Sequence, residues 1–247
     1  AHKTAPPVIN LAEKLVGIAP EGLGKAVFQN SGSEAVDTAM KFIWYYHNAI
    51  GKPAKKKIIA RKNAYHGTGI ASASLTGLPR MHMAFDLPIT DRVLRTDCPH
   101  FFKYGEKGET EEEFATRCAG NLEQLIQDEG PDSVAAFFAE PVMGAGGVIL
   151  PAATYFEKIQ AVLKQYDVLM VADEVICGFG RTGNMWGSQT FNIKPDLLTC
   201  AKALSSSYLP ISAVLISDNL YAPIRDQSGD LGGFSHGYTY SGHPVAA

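Results

Sequence analysis

Two charged groups follow apolar runs at places where a buried strand would deliver them. The run Val168-Leu169-Met170-Val171-Ala172 ends in Asp173-Glu174, and the run from Asp196 to Ala201 ends in Lys202. A carboxylate at the mouth of a buried strand costs desolvation energy unless a cation meets it, so Asp173 calls for a positive partner. An amine in apolar surroundings titrates closer to neutrality and can act as a nucleophile or proton carrier. In the third feature, Asn30-Ser31-Gly32-Ser33-Glu34-Ala35, Ser31 and Glu34 have capping-box spacing and Gly32 lets the backbone approach a ligand closely. Free N–H groups and the helix dipole at such a start can hold a phosphate. Each feature also has an ordinary alternative: an Asp that caps a loop, a solvated lysine, a plain helix cap.

The elements that must position these groups are legible as periodicity. Apolar runs at Lys57 to Ala60, Val134 to Ala139, Val168 to Ala172, Leu197 to Cys200 and Ala213 to Ile216 predict strands. Between them Ala35, Val36, Ala39, Met40 and Ile43 share one helix face, and Phe114, Cys118, Leu122, Leu125 and Ile126 form a stripe over Glu111 to Gln127 that stops at Gly130-Pro131. A third helix is predicted from Thr154 to Gln165. Strands alternating with helices predict an α/β fold: a mainly parallel sheet with helices on both faces, a three-layer αβα arrangement. In such sheets ligands bind beyond the carboxyl ends of the strands, where Asp173 and Lys202 fall. The stretch from Pro79 to Gly108 has weak periodicity and is expected to be a surface excursion.

Together the three features meet the needs of pyridoxal 5'-phosphate: an amine to form an imine, a carboxylate to keep the ring nitrogen protonated, and an anion site. The segments NSGSEAVDTAMK, AYHGTG, AEPVMGAGGVILP, ADEVICGFGRTG, AKALSSSYLP and HGYTYSGHP, in that order, resemble the class III aminotransferases of the type I pyridoxal-phosphate fold, and the resemblance covers nearly the whole chain. It implies that Lys202 is the Schiff-base lysine and that Asp173 pairs with the pyridine nitrogen. It places Gly32 and Ser33 at the phosphate, Tyr65 against the ring with His66 beside it, Val175 on the opposite ring face, and Glu140 near cofactor and substrate. Thr239 resembles the threonine that family members give to the phosphate site of a neighbouring subunit, which implies a homodimer with shared active sites.

The implied reaction is transamination from an amine or ω-amino acid donor to a keto acid. The stretch from Lys202 to Pro210 departs from the Gly-rich version of 4-aminobutyrate and ornithine enzymes and is closer to the branch with pyruvate as acceptor. Aminomutases, racemases and decarboxylases share the cofactor site and remain alternatives. Family members begin earlier and continue into a small C-terminal domain, so residues 1–247 are expected to be the large domain alone, without the arginine that grips a keto-acid carboxylate.

Composition narrows the rest. With 247 residues, 46% hydrophobic and 19% charged, the chain can bury a substantial core. A net charge of -3 gives no footprint for nucleic acid, and Lys55-Lys56-Lys57 is expected to be a solvated loop. No run approaches the roughly 18 apolar residues of a membrane span. Cys98, Cys118, Cys177 and Cys200 form no CxxC pair, which argues against zinc or a disulfide framework and fits a reducing, cytoplasmic location. Gly178-Phe179-Gly180-Arg181-Thr182-Gly183 has dinucleotide spacing, but the amphipathic helix that must follow is missing, so a nicotinamide-binding oxidoreductase is disfavoured. His2, His47, His66, His82, His100, His236 and His243 show no metal-ligand spacing.

Overall fold

The apolar runs become strands by pairing with one another in register. The computed structural model describes residues 4–89 and 91–247, so His2 lies outside the described residues. In chain order the elements are α1 (Pro6–Gly17), β1 (Leu23–Gln29), α2 (Gly32–Ala49), β2 (Lys57–Arg61), α3 (Ile70–Leu75), β3 (Val93–Thr96), α4 (Phe101–Tyr104), α5 (Glu111–Glu129), β4 (Val134–Ala139), α6 (Tyr155–Gln165), β5 (Leu169–Asp173), α7 (Gly187–Thr190), β6 (Leu197–Cys200), β7 (Ser212–Ser217) and α8 (Asp218–Asp230). The strands form one sheet in the order β1-β7-β6-β5-β4-β2-β3. Strands β2 to β6 are parallel, and β7 runs antiparallel to both its neighbours.

Alternation along each strand divides the core between two faces. Ile58, Ala60, Val171, Val214 and Ile216 pack with α2 and α8. Ile59, Phe137 and Met170 point the other way onto α5 and α6, while Ala213 and Leu215 meet α1. With both faces covered, the parallel strands can be apolar at nearly every position, which is why they were legible as runs. The predicted three-layer αβα architecture is the one observed.

Three local expectations are corrected. The excursion from Pro79 to Gly108 contains β3, which pairs with β2 at the sheet edge. Val-Leu-Arg-Thr is too short and polar to show a period. β1 was likewise not predicted, because Gly24 and Lys25 interrupt its apolar pattern. The lysine run is not a solvated loop. Lys55 is 3% exposed, and its Nζ donates to the carbonyls of Tyr166 and Asp167. Lys56 reaches Asn48 Oδ1 on α2 at 2.7 Å, and Lys57 reaches Glu129 Oε2 on α5 at 2.7 Å. Each lysine therefore ties the start of β2 to a different part of the fold.

Candidate active site

Parallel strands that end together leave a crevice at their carboxyl edge. Here β4 runs out into Glu140, β5 ends in Asp173, and β6 is followed by Ala201 and Lys202, while α2 begins opposite them. A cavity of about 440 Å³ lies between these ends. That volume suits a small-molecule site. Gly32, Ser33, Tyr65, His66, Glu140, Asp173, Val175 and Lys202 all border it. Thr239 does not: it is exposed in the segment after α8.

Asp173 is 3% exposed, so its charge must be compensated locally. Its Oδ2 takes the Nδ1–H of buried His66 at 2.7 Å. Within this chain the carboxylate is met by the N–H of an imidazole, and the contact selects the tautomer with hydrogen on Nδ1. Asp173 Oδ1 accepts from the Val175 amide at 3.1 Å and from Thr199 Oγ1 at 3.3 Å. The Nε2 atom of His66 is buried with no partner among the described residues.

Glu140 is also buried, and burial raises its pKa. Its Oε1 accepts the Tyr65 amide at 3.0 Å and its Oε2 accepts the Gly144 amide at 3.1 Å. The carboxylate therefore holds the backbone of Tyr65 at the cavity wall. Fully buried Arg61, at the end of β2, donates from Nη2 to the Glu140 carbonyl at 2.6 Å and fixes the same turn from below. Neighbouring Glu174 turns away from the cavity. Its two oxygens take the amides of Gly187 at 2.9 Å and Ser188 at 2.6 Å, which secures the loop that follows Val175.

At the start of α2, Ser31 Oγ accepts the Glu34 amide at 3.2 Å and the Ser31 carbonyl accepts the Ala35 amide at 3.0 Å. The two amides ahead of these, on Gly32 and Ser33, have no acceptor from the helix itself. Ser33 Oγ accepts from the Thr68 amide at 3.0 Å, leaving its own hydrogen free to donate. Gly32 stands close to Val175: a Cβ on Gly32 would lie 3.0 Å from Val175 Cγ1.

Lys202 opens a short 3-10 turn, Lys202–Leu204, with φ 44. Left-handed backbone at a residue with a side chain costs energy of order 1–3 kcal/mol and clusters at functional sites. Its side chain is exposed at the cavity mouth rather than enclosed by apolar residues, a departure from the apolar surroundings expected for it. Ser205, Ser207, Tyr208 and Leu209 continue that wall. Thr199 was missed by sequence reasoning. Its signal was a hydroxyl inside the buried strand Leu197–Cys200, and the β5–β6 register that sets it opposite Asp173 appears only in the folded sheet.

The family described as aminotransferase class-III matches residues 2–247. Gamma aminobutyrate transaminase 1, mitochondrial, from Solanum lycopersicum is 61% identical over 246 residues, covering 99% of this chain and 48% of the relative. Gamma aminobutyrate transaminase 3, chloroplastic, from the same organism is 59% identical, covering 99% of this chain and 47% of the relative. The omega transaminase from Pseudomonas jessenii in complex with PMP superposes with a TM-score of 0.98 at 57% identity, covering 100% of this chain and 54% of that one. The chain thus spans about half the length of the relatives it matches.

These names overturn the cytoplasmic expectation, since close relatives are mitochondrial and chloroplastic proteins. The four cysteines are free and buried. Free thiols do not say which compartment holds the protein. Among the described residues no helix is long and apolar enough to cross a membrane.

Proposed function

The chain belongs to the class III aminotransferases, and from that premise we propose that residues 1–247 form the cofactor-carrying large domain of a transaminase. The donor is an amine or ω-amino acid and the acceptor a keto acid, with pyruvate favoured by the Lys202 to Pro210 stretch. Class III aminotransferases use pyridoxal phosphate, and a solved neighbour holds its amino form, PMP. The observation that carries the reading is the meeting of Lys202, Asp173 and the open start of α2 on one cavity.

The residues present fit the cofactor. A buried carboxylate borders the cavity, two helix-start amides have no acceptor among the described residues, and Gly32 leaves a gap beside Val175 that a Cβ would fill. When bound, pyridoxal phosphate supplies a carbonyl that condenses with amines and a ring that withdraws electrons from the amine-bearing carbon. Asp173 would hold the ring nitrogen in its protonated form, and the Nδ1–H of His66 steadies that carboxylate through Oδ2. Gly32 and Ser33 bind the phosphate through amides and a hydroxyl. Tyr65 and Val175, both on the cavity wall, would flank the ring. Lys202, tethered at the mouth, would hold the cofactor through Nζ, and the same Nζ, once released, would hold a proton within reach of the bound substrate. The test is an absorbance spectrum of the full-length protein with pyridoxal phosphate, then with candidate amines. A visible band that Lys202→Ala leaves unchanged would refute the assignment.

A homodimer with shared sites is supported by a second observation. Thr239 is exposed away from this chain's cavity, and Ile70, Met83 and Phe85 expose 69%, 69% and 70% of their surface. Ile70 and Phe85 border an apolar depression that begins at Thr68, next to the cavity-lining Gly67. We assign Thr239 to the phosphate site of the neighbouring subunit. Mixed dimers of Lys202→Ala and Thr239→Val chains then regain one working site each. Absence of complementation in dimers shown to be mixed overturns the trans role.

A further inference from the structure

We propose that Thr199 is a positioning residue for Asp173, holding its carboxylate in a fixed relation to Lys202; the inference rests on the cofactor reading above. Thr199 does not border the cavity. It is fully buried on β6, three residues ahead of Lys202, and the sheet register sets it opposite Asp173 on β5. Leu197, Leu198 and Cys200 around it are apolar and buried. A hydroxyl in such a strand costs desolvation energy unless it finds a partner, and its partner is Asp173 Oδ1 at 3.3 Å. The carbonyl of Thr199 also accepts the amide of Glu174 at 2.8 Å. One residue therefore grips the Asp173-Glu174 turn at two points, through its side chain and its backbone.

The other donors to Asp173 come from elsewhere. His66 lies in the segment between β2 and α3, and the Val175 amide belongs to Asp173's own turn. Among the described residues, Thr199 alone binds the Asp173 carboxylate from the strand that also delivers Lys202. His66 holds the other oxygen, Oδ2, at 2.7 Å, so rotation of the carboxylate is opposed at both ends. The Thr199 contact resists it, because a β-branched side chain in a buried strand has little rotamer freedom.

The substitution pair Thr199→Val and Thr199→Ser separates this role from packing. Valine keeps the shape and loses the hydroxyl, and serine keeps the hydroxyl and loses a methyl. In the full-length protein, positioning predicts that Thr199→Val weakens pyridoxal-phosphate affinity about tenfold, or about 1.4 kcal/mol. It also shifts the pH midpoint of the lysine-dependent absorbance band, while Thr199→Ser stays close to the parent in both. A packing role predicts the reverse order, with serine the more damaging and the band unmoved by valine. Parent-like affinity and band in Thr199→Val overturn the proposal while leaving the cofactor reading intact; a parent protein that forms no band overturns both. Should Thr199→Val fail to fold, Thr199→Ala against Thr199→Ser gives the same comparison.

Discussion

Gly32→Ala separates folding from cofactor binding. Gly32 is the first residue of α2, and its backbone is outside the left-handed region, so alanine meets no conformational penalty there. The new Cβ lies 3.0 Å from Val175 Cγ1 and 3.2 Å from Cγ2, with Ala201 Cβ at 3.8 Å. Carbon atoms pack best at roughly 3.5–4.0 Å, so Val175 must retreat by roughly half an ångström. Val175 is half-buried and borders the cavity, and that is the direction in which it is free to move. The displaced methyls then take the space assigned to the cofactor ring. Alanine gains up to about 1 kcal/mol over glycine inside a helix, and at the first position of α2 only part of that gain is realised. We therefore expect the cofactor-free Gly32→Ala protein to melt at or slightly above the parent temperature, while pyridoxal-phosphate affinity drops by about tenfold or more. Calorimetry of the cofactor-free protein and a cofactor titration measure the two quantities separately. A melting temperature several degrees lower with unchanged affinity would refute the reasoning, because it would make Gly32 a packing requirement of α2 alone.

Lys55→Met keeps the apolar stem but leaves the carbonyls of Tyr166 and Asp167 without their donor; a loss of about 1–3 kcal/mol is expected in urea unfolding, and an unchanged midpoint would show that the buried ammonium is dispensable. Trp186 is fully buried, packs on Phe179 at 4.9 Å between centroids and donates to the Ile18 carbonyl at 2.6 Å. Trp186→Ala is expected to cost about 3–5 kcal/mol, also read by urea unfolding. Burial lowers the pKa of His47 to about 4. Below the unfolded value of 6.5 the unfolded chain binds a proton that the folded chain refuses, so stability falls as pH drops from 6.5 towards 4. The loss is on the order of 3 kcal/mol, and His47→Leu should flatten that arm of the stability–pH curve.

What could be read along the chain was what a buried parallel strand imposes locally. Runs such as Val134–Ala139 and Leu197–Cys200 are apolar because both faces of the sheet are covered, and an acid or lysine that ends such a run stands out. Asp173, Lys202 and the helix start at Gly32 were therefore legible as residues and as a class of chemistry. Their partners were not. That His66 and Thr199 meet the Asp173 carboxylate depends on strand order and register, which bring together residues 107 and 26 positions apart. Edge strand β3 and the interrupted β1 lack a local signature because their neighbours, rather than their own residues, complete them. The three lysines read as solvated charge, and only packing between β2, α2, α5 and the loop after α6 supplied their acceptors. Sequence by itself determined which groups sit at the strand ends; the tertiary structure decided which of them face one another, because distance in space is set by pairing across the sheet and not by separation along the chain.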